Sequence, residues 1–116
     1  MRSWSLNEIE TPEGSRSPVV LCSGEEGRAV LIGLEPGQQL GDHQVKESAY
    51  VVVLEGTARI EAGTESISAG PGTLVTFAPD ERRSVASTDG ARILLLLAPW
   101  PGAGHYRAEE KAEARP

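Results

Sequence analysis

Residues 40–56 read LGDHQVKESAYVVVLEG: a polar opening with one histidine, then an apolar run that stops at a glycine. The run AYVVVL is rich in β-branched residues, too short for a helix, and bounded by a turn signal, so it reads as a strand. Side chains alternate across a strand, so Ala49, Val51 and Val53 share one face while Tyr50, Val52 and Leu54 share the other. Both faces are apolar. A strand of this kind is covered on both sides, by the domain interior and by a further segment or subunit.

The same rhythm continues on either side. PVVLC, RAVLIGL, TARIEA, SISA, TLVTF, RSVAS and ARILLLLA are short apolar or alternating segments, separated by EPGQ, AGTES, AGPG, APDER and STDGA. Turns at such even intervals, with no helix-length periodic segment between them, indicate an all-β sandwich or barrel. TARIEA alternates, placing Ala58, Ile60 and Ala62 inward and Thr57, Arg59 and Glu61 toward solvent. The expected organisation is one domain: an N-terminal extension over residues 1–27, a barrel over 28–100 and a flexible tail over 101–116. Trp100 reads as a cap on the barrel end, and Trp4 as packing for the N-terminus.

Composition narrows the function. Eleven basic residues face seventeen acidic ones, a net charge of −6, and the only basic cluster is Arg82-Arg83. A nucleic-acid partner needs a dense positive surface, so none is expected, and an acidic surface likewise avoids anionic membranes. ILLLLAPW is too short to span a bilayer, and the first residues have no apolar core of a secretory signal, so the expected location is cytoplasmic. Cys22 stands alone, which rules out an intrachain disulfide and reads as a small buried apolar residue. No serine sits in a nucleophile elbow and no glycine-rich loop has the phosphate-cradling pattern.

Extended back to Gly37, the opening stretch resembles the first motif of the cupin superfamily, which runs glycine, five residues, His-x-His, three or four residues, glutamate, six residues, glycine. Gly37, His43 and Gly56 fall at the right spacing, but Val45 stands at the second histidine and Ala49 at the glutamate. GTLVTFAPDERRSV resembles the second motif, with Gly72, Pro79 and Arg83 at the histidine position. The resemblance covers residues 28–98 and implies a double-stranded β-helix, or jelly roll, with a pocket in the barrel mouth and often a homodimer. Tyr50, Val52 and Leu54 are the residues expected near the dimer contact.

The resemblance also implies where the chemistry sits. Cupins typically hold a divalent transition metal with three histidines and a glutamate. Here His43 is left with valine, alanine and arginine, and one imidazole does not hold a metal against water. No cofactor is therefore expected; the alternative is a divalent transition metal on His43 and Glu47, which fall on one face of an unbroken strand. The primary reading is a small-molecule-binding domain, taking a small organic ligand, anions included, in the barrel. His43, Val45, Ala49, Val51, Val75, Phe77 and Arg83 are its expected contacts. Arg83 points inward with Val85 and Ser87 by alternation, and its guanidinium suits a carboxylate. The rival is a cupin enzyme, either a metal-free isomerase or epimerase with His43 as catalytic base or a metal-dependent oxygenase with atypical ligands. The acid–base version is incomplete, because parity turns Tyr50 outward.

Overall fold

The computed structural model describes residues 1–11, 18–43 and 45–101, with 41–43 described by backbone alone. The tail from residue 102, expected to be flexible, lies outside the described residues. The strands are β1 (Val19–Gly24), β2 (Gly27–Leu34), β3 (Gln39–His43), β4 (Ser48–Gly56), β5 (Ala58–Ala62), β6 (Glu65–Ala69), β7 (Leu74–Phe77), β8 (Arg83–Ala86) and β9 (Ala91–Ala98). They form two antiparallel sheets, one ordered β1-β2-β9-β4-β7 and the other β3-β8-β5-β6. This is the expected all-β double-stranded β-helix. Among the described residues, no helix is long and apolar enough to cross a membrane.

The opening stretch supplies β4 of the larger sheet, which pairs with the central strand β9. β4 runs antiparallel to β9 with Val51 opposite Leu95 and Val53 opposite Ile93. β9 in turn pairs with β2, placing Leu95 beside Val30 and Ile93 beside Ile32. These inward residues, with Ala49 and Leu34, pack against Ala58, Ile60, Ala69 and Val85 of the smaller sheet in one core. TARIEA behaves as its alternation dictates: Ala58 and Ile60 are buried, while Arg59 and Glu61 pair at 3.1 Å on the solvent face. An exposed pair of that kind adds little stability.

The sheet starts earlier than the sequence suggests. Val19 opens β1, which pairs along β2, so the stretch 1–27 contributes an edge strand as well as an extension. The extension proper is residues 1–11, carrying a single 3-10 turn at Leu6–Glu8. Arg92 holds it down. Its Nη2 donates to the Leu6 carbonyl at 3.0 Å and to the Ile9 carbonyl, while Nη1 reaches Glu55 at 3.4 Å. Farther on, Thr11 lies so close to Gly33 that a Cβ there would sit 2.3 Å from the threonine Oγ1. The extension thus lies over the outer face of β2 and β9, and Leu31, two residues from Gly33 on that face, is fully buried.

The described residues leave the rest of the outer face uncovered. Tyr50 pairs with Leu96, and Val52 lies between Leu94 and Leu74. Tyr50 is 38% exposed and Leu74 60%. Leu54 falls at the irregularity between Val53 and Glu55 in the β4–β9 register and is half-buried. At the barrel end Trp100 packs against the core, with the Arg28 guanidinium 4.6 Å from its ring centroid. Trp4 is 40% exposed beneath Arg2.

Candidate functional site

A cavity of about 240 Å³ opens between the two sheets. Pro18, Ile32, Leu40, Val45, Arg83, Val85 and Leu95 line it. Each lining position follows from strand parity or from a turn. Ile32 and Leu95 point inward from β2 and β9 in step with Val30 and Ile93, and Leu40 sits opposite Val85 across β3 and β8. Val45 belongs to the β3–β4 connection, which is tied to the β7–β8 turn. The Asp80 N–H donates to the Val45 carbonyl at 2.7 Å, and Lys46 pairs with Asp80 at 2.8 Å. Asp80 takes a left-handed φ of 66°, which an aspartate tolerates better than most side chains. Glu81 fixes the other side of that turn by accepting the Ala78 N–H at 2.9 Å.

Arg83 is the polar feature of the wall. It is 7% exposed, and alternation along the strand buries Val85 and Ser87 with it. Its guanidinium carbon stands 5.0 Å from the Phe77 ring centroid, a cation–π contact. Burial pulls its pKa below the ordinary arginine value by removing water from the charged form. Glu47 and Glu81 act in the opposite sense, by attraction to the guanidinium. Glu47 is fully buried at the bend just before β4. Arg83 Nη1 is buried with no hydrogen-bond partner among the described residues.

The residues expected at the site therefore divide. Val45 and Arg83 line the cavity. His43 is the register partner of Arg83 across β3 and β8, which brings the two positions of the resemblance side by side in the sheet. Ala49 and Val51 are sealed in the core beside Val53, away from the cavity wall. Val75 and Phe77 line a separate, smaller recess of about 160 Å³ with Ile60, Ala62 and Ile67. Alternation fixes which face a residue takes but not its depth along the barrel, which is why these four shared a face with the cavity and not its wall. Leu40, Leu95 and Ile32 take their places. Glu47, considered in the sequence as a partner of His43 on an unbroken strand, instead stands at the bend before β4 and is fully buried. The available signal was indirect: an inward arginine requires a buried counter-charge.

Three larger recesses lie elsewhere. Two flank the N-terminal extension, of about 420 and 860 Å³ around Thr11, Glu55 and Arg92, and a third of about 380 Å³ runs between Arg2, Arg28 and Tyr50. All are more open than the cavity between the sheets, and none encloses a ligand as a barrel interior does.

Among the side chains the structure describes, Val45 and Ala49 have no electron pair to give and Arg83 presents a cation; the His43 side chain lies outside them. Among the described residues, no three histidine, cysteine, aspartate or glutamate side chains cluster as ligands would.

No family model and no curated protein matches the chain by sequence. Solved structures do match by shape. An RmlC-like cupin protein from Desulfovibrio desulfuricans superimposes with a TM-score of 0.76 at 22% identity, over 85% of this chain and 97% of its own. A protein with a double-stranded beta-helix domain from Klebsiella pneumoniae gives 0.74 at 17%, over 85% and 90%. A cupin superfamily protein from Desulfitobacterium hafniense gives 0.73 at 15%, over 80% and 85%. The chain has the fold of the cupin superfamily.

Proposed function

We propose that this protein binds a small organic molecule in the cavity between its sheets, with Arg83 as the polar anchor and Ile32, Leu40, Val45, Val85 and Leu95 as the apolar wall. The supporting observation is Arg83 itself, an inward arginine on an otherwise apolar cavity wall. The volume of about 240 Å³ is that of about eight waters at roughly 30 Å³ each, so the ligand is small. Binding is favoured over turnover because, among the described residues, no second titratable side chain lines the cavity opposite Arg83. Tyr50, the acid that an epimerase-like reaction would call for, stands on the outer face.

A thermal-shift screen of compounds with one polar head and a short hydrocarbon body tests this. A ligand present at a hundred times its Kd adds about 2.7 kcal/mol of stability, a shift of many degrees in a domain of this size. The expected result is that such compounds raise the melting temperature of the wild type and leave that of Val45→Phe unmoved, since the added ring occupies the cavity. Equal shifts in both proteins, or none in the wild type, contradict the proposal.

The proposal includes a second copy of the chain on the uncovered outer face. Among the described residues, the N-terminal extension covers the β2 side of that face and leaves Tyr50, Val52, Leu74, Leu94 and Leu96 as a contiguous apolar surface. Sedimentation equilibrium at micromolar concentration is expected to give a dimer for the wild type and a folded monomer for Leu74→Glu. A wild-type monomer overturns this part.

A further inference from the structure

Among the described residues, four strands have one free edge: β1 and β7 in the larger sheet, β3 and β6 in the smaller. A free edge carries unpaired N–H and C=O groups, and proteins blunt it with bulges, prolines, charges or shortness. Three of these edges are interrupted or short. β1 breaks register with β2 between Val20 and Cys22, and β3 breaks register with β8 between Leu40 and His43. β7 is four residues long and lies between Pro71 and Pro79. β6 is different. Its five residues pair with β5 without a shift, from Ala58 opposite Ala69 to Ala62 opposite Glu65, and the first four are exposed.

The same edge opens onto apolar side chains. Ile67 is the register partner of buried Ile60, so it takes the inward face, yet it is 43% exposed. β6 ends its sheet, and across the seam stand Val75 and Phe77 of β7, which belongs to the other sheet. With Ile60 and Ala62 these residues enclose a recess of about 160 Å³. That is the volume of about five waters at roughly 30 Å³ each, room for one aliphatic side chain. Glu65 and Glu81 also line it, and no basic side chain does among the described residues. Glu81 is fixed by the Ala78 N–H, whereas the Glu65 carboxylate has no hydrogen bond or ion pair among the described residues.

We propose that β6 is a docking edge for an extended peptide, which adds a strand to the β3-β8-β5-β6 sheet, antiparallel like the pairings already in it. Strand alternation sets what the peptide carries. Glu65 and Ile67 are two residues apart on the inward face, so the inward side chains of the peptide are also two apart. One is aliphatic and enters the recess beside Ile67 and Val75; the other is a lysine or arginine beside Glu65. A second copy of the chain fits this edge poorly, because its own β6, ESISA, has no base to set against Glu65. The recess shares no lining residue with the cavity between the sheets, so this docking edge stands apart from what that cavity holds.

Capped, fluorescently labelled pentapeptides test it in anisotropy titrations with the full-length protein. Threonine occupies the first, third and fifth positions, valine, isoleucine or leucine the second, and lysine the fourth; a matched set carries glutamate at the fourth. The expected result is that at least one lysine peptide binds at least ten-fold more tightly than its glutamate counterpart. Glu65→Gln is expected to erase that preference. Ile67→Lys, at a position exposed enough to take a charge, is expected to weaken binding at least ten-fold while the protein stays folded by circular dichroism. In hydrogen exchange, the bound peptide should slow the amides of Glu65–Ala69 and leave those of Leu74–Phe77 unchanged. Equal binding of the two sets, no binding by either, wild-type affinity in Ile67→Lys, or protection at another edge overturns the proposal. Should Ile67→Lys not fold, the exchange pattern decides alone.

Discussion

Glu47→Leu is expected to lower the unfolding free energy by about 3–5 kcal/mol, the usual cost of removing one partner from a buried ion pair. The loss comes less from the missing attraction than from the charge left behind. Arg83 stays 7% exposed, and the attraction of the fully buried Glu47 is the larger of the two that keep it ionised against the pull of desolvation. Arg83→Met alone is expected to cost a similar amount, because it removes the cation attracted to buried Glu47 and gives up the contact with Phe77. The double variant Glu47→Leu/Arg83→Met is expected to be more stable than either single one, since apolar residues of similar volume replace a buried pair at little cost. Urea denaturation of the four proteins gives the coupling directly. A neutral Glu47→Leu, or a double variant whose loss is the sum of the singles, would show that the two side chains do not act on each other.

That pair also marks the boundary of what could be read from residues in order. Strand identity and inward faces were legible because apolar alternation is a local property: Ala58 and Ile60 on β5, Val51 and Val53 on β4, and Val85 with Arg83 on β8 all fall where parity puts them. The resemblance to the cupin motifs survives as geometry, since Gly37, Gly56 and Gly72 all take left-handed φ values. The site was legible only in part. Val45 and Arg83 line the cavity, but Leu40 and Leu95 come from strands distant in sequence, and their arrival depends on how the sheets stack. Glu47 was hidden for a related reason. A glutamate between a lysine and a serine ahead of a strand looks like a solvated turn, and its burial follows from a tertiary tie between the Val45 carbonyl and Asp80. Arg92 was hidden too: one charge within ARILLLLA gives no sign that backbone carbonyls of the N-terminal extension receive it.

Gly56→Ala carries the second large expected effect, a loss of about 2–5 kcal/mol. Two costs add. The residue holds φ at 74°, where an alanine pays roughly 1–2 kcal/mol. A Cβ would also lie 2.1 Å from the Gly90 carbonyl oxygen and 2.9 Å from the Ala91 Cα. Both are backbone atoms of the turn into β9, so relief requires the sheet to move, at about 1–3 kcal/mol for overpacking. Gly37 separates the two terms. Its φ is 84° and nothing lies within 4 Å of the place a Cβ would take, so Gly37→Ala is expected to cost only the conformational part. The glycine that ends the opening stretch is thus required by the neighbouring turn as well as by its own backbone. Equal losses at the two positions in thermal or urea denaturation would contradict this.

The most direct measurement is on the cavity wall itself. With methyl groups of isoleucine, leucine and valine labelled, titration of the compound that gives the largest thermal shift should move the NMR signals of Ile32, Leu40, Val45, Val85 and Leu95 together, with one affinity. The methyls of Leu74, exposed on the outer face of the larger sheet, should stay in place. If the exposed methyls move and the cavity methyls do not, the molecule binds elsewhere and the barrel interior is packing rather than a site.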